Sequence, residues 1–283
     1  MAKVRFGPAG VPIQCDGSST LDGVKCCAEL QLDAMEMEFV QGVRLSEESA
    51  LEIAAVAKHL DISLSSHAPY FINFCSREAS KIELSTRNLL QAARITHAAG
   101  GRITVFHPGF YQKQKPEDAY AAAKKHLAEA HEKIVAEGAA AVILGAETVG
   151  KKSAFGGLEE NVRLSQELGF VQPVLDFAHI HARGDVRLKT EDDYMKIFSL
   201  LEQRLGDYVQ HFHAHFSEVS YSDKGEQYHL PLGAKNEPPL QPLLKVLAEN
   251  GYGGTIICET PKIDIDAQLM KEKYMQLVKK YGR

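Results

Sequence analysis

The stretch 174–181, VLDFAHIH, begins as an apolar run suited to a buried parallel strand, then places Asp176, His179 and His181 where a core accepts few such groups. A strand that breaks into a turn or helical start after Asp176 brings residues three apart together, so Asp176 and His179 converge at its carboxyl end. The pattern recurs along the chain. His67, His107, Glu147, Asp176, His215 and Glu259 each stand where a short apolar run gives way to a loop. A lone histidine in such a place is most simply a packed or surface residue. Imidazoles and carboxylates at six successive run ends point instead to a divalent transition metal, Zn²⁺ first, with Mn²⁺ or Fe²⁺ as alternatives. They exceed the four ligands of one tetrahedral ion, so at least two ions per chain are expected. Two ions roughly 3.5–4 Å apart suit hydrolysis, one activating a nucleophile and the other stabilising a leaving oxygen.

These positions need rigid elements beneath them. Apolar runs at 4–9, 34–40, 62–66, 102–106, 141–146, the start of 174–181, 208–216 and 255–258 are predicted as strands. Helices are predicted over 21–30, 46–60, 76–99, 116–138, 158–168, 191–205, 239–250 and 267–281. The second starts on SEES at Ser46, read as a capping box, the third closes on Gly100 and Gly101, and the fourth opens on Pro116. Residues 217–236 are predicted as a polar loop. Eight βα units in series, without a linker, repeat or low-complexity segment, predict one α/β domain over 1–283, a single (β/α)₈ TIM barrel. In such barrels active sites form at the carboxyl ends of the strands, where the six candidate ligands follow strands three to eight.

The chain has 283 residues, 45% hydrophobic and 24% charged, which suits a barrel of this kind. No apolar run approaches the roughly 20 residues that span a membrane, and residues 1–11 lack a signal-peptide pattern, so a cytoplasmic protein without a membrane partner is expected. Cys15, Cys26, Cys27, Cys75 and Cys258 have no CxxC spacing and read as reduced packing residues. A net charge of −5 argues against strong nonspecific binding to phosphate backbones, while leaving room for a local basic patch around a cationic site.

The segments HAPYFINF (67–74), FHPG (106–109), AETVG (146–150), LDFAHIHARGD (175–185), HFSE (215–218), HLPLG (229–233) and CETP (258–261) resemble, in the same order, the motifs of the endonuclease IV family of apurinic/apyrimidinic endonucleases. The resemblance runs from about residue 34 onward. It implies a barrel of the xylose-isomerase-like superfamily that uses two or three zinc ions to incise DNA at abasic sites in base-excision repair. It assigns His67, His107 and a bridging Glu147 to one zinc, and Glu147, Asp176, His215 and Glu259 to a second. His179 and His229 fall to a third. Glu147 is implied as the catalytic residue, and Tyr70 matches a tyrosine that enters the DNA at the lesion, although a tyrosine in such a place is commonly rim packing. Two departures stand out. The family's aspartate two residues before His229 is Gln227 here, with Glu226 the nearest carboxylate, and HFSE replaces a His-x-Asn-Asp pattern. A weaker third site, strengthened by Gln227→Asp, is therefore expected.

Other residues have plainer readings. His211 and His213 share strand parity with His215 and are expected to support it rather than bind metal. His181 either orients a ligand or lies on the surface. Lys151, Lys152 and Arg183 are placed to meet a phosphate or are simply solvated. His59, His97, His126 and His131 read as structural, and Glu36 and Glu38 as lining the mouth with no assigned task. Two enzymatic classes remain, the abasic-site phosphodiesterase and a metal-dependent sugar isomerase or epimerase acting on a small sugar, with a noncatalytic metal-binding protein third.

Overall fold

The computed structural model describes residues 4–281. Eight parallel strands form the barrel wall: β1 Val4–Pro8, β2 Ala34–Glu38, β3 Ser63–His67, β4 Ile103–Phe106, β5 Ile143–Glu147, β6 Val171–Asp176, β7 Phe212–Phe216 and β8 Gly254–Cys258. Each pairs with its sequence neighbour, and β1 pairs with β8, Val4 opposite Gly254. The ring closes between β1 and β2 through Asp33 N–H to the Phe6 carbonyl at 2.8 Å and Gly10 N–H to the Glu36 carbonyl at 2.9 Å. That seam requires a glycine, because a Cβ on Gly7 would lie 2.0 Å from the Ala34 carbonyl oxygen.

Helices α1 Thr20–Glu29, α2 Glu47–Leu60, α3 Ala79–Ala98, α4 Pro116–Ala136, α5 Leu158–Leu168, α6 Phe177–Arg183, α7 Glu191–Leu205, α8 Leu240–Asn250 and α9 Ile263–Tyr281 connect the strands and form the outer layer. Ser46 does cap α2, accepting from Ser49 N–H, but N3 is Ser49 and no reciprocal capping box forms. Strand alternation separates two apolar layers. Phe6, Met35, Met37, Leu64, Phe106, Leu175, Phe212 and Phe216 face the helices in the main core, while Ile103, Val105 and Val174 make a small cluster of their own with Ile143. Among the described residues no helix is long and apolar enough to cross a membrane.

Two expectations need correction. The seventh strand begins at Phe212, because a 3₁₀ turn over Gly206–Gln210 follows α7 and Tyr208 is tied by its hydroxyl to the Pro173 carbonyl at 2.6 Å. Residues 217–236 hold an antiparallel hairpin, Glu218–Ser222 with Gly225–Leu230, which lies against α6. Its strands are short and mostly polar, so apolar periodicity gives no sign of them.

Candidate metal centre

The strand β6 ends where α6 begins, and Asp176 is the N-cap: its Oδ1 accepts the His179 backbone N–H at 2.6 Å. The other carboxylate oxygen, Oδ2, is buried without a hydrogen-bond partner and lies 3.5 Å from His179 Nδ1. Capping a helix directly after a buried strand thus holds both groups at the barrel mouth.

Glu147, the last residue of β5, occupies the centre. Its Oε2 lies 3.0 Å from His67 Nε2 and 3.0 Å from His107 Nε2, and its Oε1 lies 3.0 Å from His179 Nδ1 and 3.6 Å from His215 Nδ1. Glu259 follows β8 and places Oε1 3.1 Å from His215 Nδ1. Ligand atoms group as His67, His107 and Glu147; as Glu147, Asp176, His215 and Glu259; and as Asp176, His179 and His229. All eight ligand residues expected from the sequence therefore converge, and a cavity of about 310 Å³ opens over them with Tyr70, Phe110, Lys151 and Glu226 on its walls.

Proton placement shows what the donor set suits. His67 Nδ1 faces the Ala68 carbonyl at 2.8 Å, which holds the ring proton there and turns the Nε2 lone pair toward a carboxylate oxygen. His179 Nδ1 faces the Thr148 carbonyl at 2.9 Å and His229 Nδ1 the Glu259 carbonyl at 3.1 Å, so their Nε2 atoms meet at 3.3 Å as two lone pairs. Such contacts are favourable only with a cation between them, a proton or a metal ion. Together with the unpartnered Asp176 Oδ2 and His215 Nδ1, they show that the donor set fits divalent metal. The electrostatics agree. Burial opposes ionisation of Glu147, but His107 and His215 hold it well below the usual carboxylate range. Burial likewise opposes a charged His67, yet the Glu147 contact lifts it to about 10. Glu226, penalised by burial, is brought down to about 2 by His179.

Glu226 owes its place to an irregular hairpin. Ser220 is paired with Tyr228 and Tyr221 with Glu226, which leaves Gln227 as the extra residue of a β-bulge. In an unbroken strand residues three apart face opposite ways; the extra residue restores Glu226 and His229 to one side. Glu226 Oε2 sits 3.2 Å from His179 Nε2 and Oε1 3.9 Å from His229 Nε2. Gln227 accepts from the Ser220 hydroxyl at 3.2 Å. Glu226 thus brings beside His179 and His229 the carboxylate that position 227 lacks.

The remaining candidates sort by contact. Tyr70 is 57% exposed at the rim, its ring 5.8 Å from His67 and 6.0 Å from His107. Arg183 is not free for a phosphate: it donates to the Lys151 carbonyl at 2.8 Å and the Ala154 carbonyl at 2.9 Å, bracing the loop after β5. Glu218 turns away and accepts backbone N–H groups from Gly233, Lys235 and Asn236. His181 is buried edge-on to Tyr221, 5.2 Å between rings, beneath the hairpin. His211 lies outside β7, whereas His213 points inward to Glu36 at 2.9 Å. No task for Glu36 is legible in the sequence. Its period-two spacing with Glu38 on β2 is the available signal, but the partner across the barrel is 177 residues away.

The chain matches the xylose isomerase-like TIM barrel family over residues 24–279. It belongs to that family. An uncharacterised protein of Methanocaldococcus jannaschii is 35% identical over 273 residues, covering 96% of this chain and 97% of its own. Among solved structures, a D-tagatose 3-epimerase-like protein superposes with a TM-score of 0.72 at 20% identity, covering 98% of each chain. Endonuclease IV from Thermus thermophilus gives 0.71 at 17% identity, covering 97% of this chain and 99% of that one. The D-psicose 3-epimerase of Clostridium cellulolyticum gives 0.68 at 13%, covering 98% and 99%. These likenesses establish the barrel and leave both hydrolase and epimerase chemistry on the same scaffold.

Proposed function

We propose that this family member is a metal-dependent phosphodiesterase that incises DNA at abasic sites. The observation that supports it is the two-sided use of Glu147, one oxygen toward Nε2 of His67 and His107 and the other toward Nδ1 of His215. A single polarising ion needs no such bridge, whereas a site for two or three ions does. His67, His107 and Glu147 would hold one ion, Glu147, Asp176, His215 and Glu259 a second, and His179, His229 and Glu226 a third. Divalent ions held by these residues would supply positive charge to the oxygens that gain it in a displacement at phosphorus. Tyr70 offers an exposed ring for stacking at the lesion, and Lys151 on the cavity wall a cation for a flanking phosphate.

One observation favours the epimerase reading. Glu147, Asp176, His215 and Glu259 by themselves complete a site for one ion with paired carboxylates that could move a proton beside a carbonyl. A direct comparison separates the two. Protein loaded with Zn²⁺ or Mn²⁺ is incubated with a duplex carrying one abasic site and, separately, with ketoses such as D-fructose. Strand incision with no sugar turnover is the expected result. Ketose epimerisation with an intact duplex would replace the nuclease by the epimerase.

A further inference from the structure

The interior of a barrel is ordinarily filled by branched apolar side chains, and Ile103, Val105 and Val174 fill one side of this one. Glu36 stands on the other side, wholly buried, a carboxylate that the eight-residue ligand set does not use. Its Oε2 accepts from the Ser65 hydroxyl at 2.7 Å and from His213 Nε2 at 2.9 Å. Its Oε1 lies 2.9 Å from His215 Nε2, a close charge contact in which neither atom has a hydrogen-bond partner. The opposite nitrogen of that ring, Nδ1, faces Glu259 and Glu147. A neutral imidazole carries one proton, so an ion taken at Nδ1 leaves the proton on Nε2, against Glu36.

Glu36, His213 and His215 also lie close enough to be considered as ligands of an ion of their own. Their hydrogen bonds argue otherwise. Oε2 of Glu36 is already taken by two donors, the Ser65 hydroxyl at 2.7 Å and His213 Nε2 at 2.9 Å, which leaves Oε1 alone facing His215.

We propose that Glu36 is a positioning residue of the metal centre: its carboxylate, fixed by Ser65 and His213, takes the Nε2 proton of His215 and so presents Nδ1 to the ion shared with Glu147, Asp176 and Glu259. This rests on the metal-binding reading of the site and not on the choice of substrate. Outer carboxylates of this kind fix the tautomer and raise the basicity of a metal-bound imidazole, and their loss typically lowers affinity about 10–100-fold.

Co²⁺ is the probe, titrated alone into metal-free wild type, Glu36→Gln and Glu36→Asp, with affinity, stoichiometry and the visible absorption of the bound ion recorded and folding checked by circular dichroism. The expected result is unchanged stoichiometry, an affinity at one site lowered about 10–100-fold in Glu36→Gln, and a shifted absorption band from that site. Glu36→Asp keeps the charge but recedes by a methylene, so it should bind between the two; it carries the test if the glutamine variant does not fold. Wild-type affinity and an unchanged spectrum in a folded variant would overturn the proposal while leaving the metal reading intact. Loss of one whole equivalent in both Glu36→Gln and His213→Gln would overturn it in favour of a separate ion at Glu36. Wild-type protein that binds no Co²⁺ would remove the metal reading itself.

Discussion

Glu147 offers one carboxylate oxygen to each of two imidazole sets from the centre of the mouth. Glu147→Gln should therefore leave a folded barrel whose turnover falls by at least roughly 10²–10³-fold, the scale on which a single charge-organising group acts. Steady-state incision rates beside a thermal melt test this, and undiminished rates would take Glu147 out of the mechanism. His67 carries a pH signature in the metal-free protein. Its pKa rises from the usual 6.5 to about 10, burial opposing and Glu147 prevailing, so its contact stabilises the fold fully below about pH 6.5 and is lost as pH climbs through 10. The Tm of metal-free protein should decline across that window, and His67→Gln should flatten the profile. An identical slope in both proteins would refute the assignment.

The hairpin after β7 is the element that completes the site. Its bulge at Gln227 turns Glu226 inward, and Gly150 leaves the room, since a Cβ there would come 2.6 Å from Glu226 Cβ and 3.0 Å from His179 Cδ2. Deleting Gln227 restores regular pairing and leaves Glu226 two residues before His229 on the same face, so every metal equivalent should be retained while the barrel melts as before. Gly150→Ala should weaken one equivalent by displacing Glu226. Gln227→Asp should do little, because position 227 faces Ser220. Elemental analysis of the variants after dialysis checks all three, and a gain of metal in Gln227→Asp would mean that the bulge yields when an aspartate is offered.

At the scale of the whole molecule, strands three to eight deliver residues at or beside their carboxyl ends to one mouth, while the closed wall of strands keeps those positions fixed against one another. Tyr70 and Phe71 stand exposed beside that mouth, Phe71 at 68%. Tyr70→Ala should weaken binding of an abasic duplex by roughly 1–3 kcal/mol, the worth of one aromatic stacking contact, with metal content unchanged. Equal duplex affinity in a fluorescence anisotropy titration would reduce Tyr70 to rim packing.

Apolar runs ending in His67, His107, Glu147, Asp176, His215 and Glu259 determined, from sequence alone, that the chain is a barrel with its polar ligands on one face. Strand burial and strand ends are local properties written into consecutive residues. Which residues face each other across the barrel is not local. Glu36 meets His213 only because closure of the barrel brings β2 round to β7 with two strands between them, and parity along a strand cannot reveal a partner 177 residues distant. Nor could alternation place Glu226, since one extra residue in an otherwise regular pairing reverses every side chain beyond it. The sequence thus determined which chemical groups reach the mouth, and the tertiary structure decided their company, because ring closure and a bulge are set by contacts between distant segments.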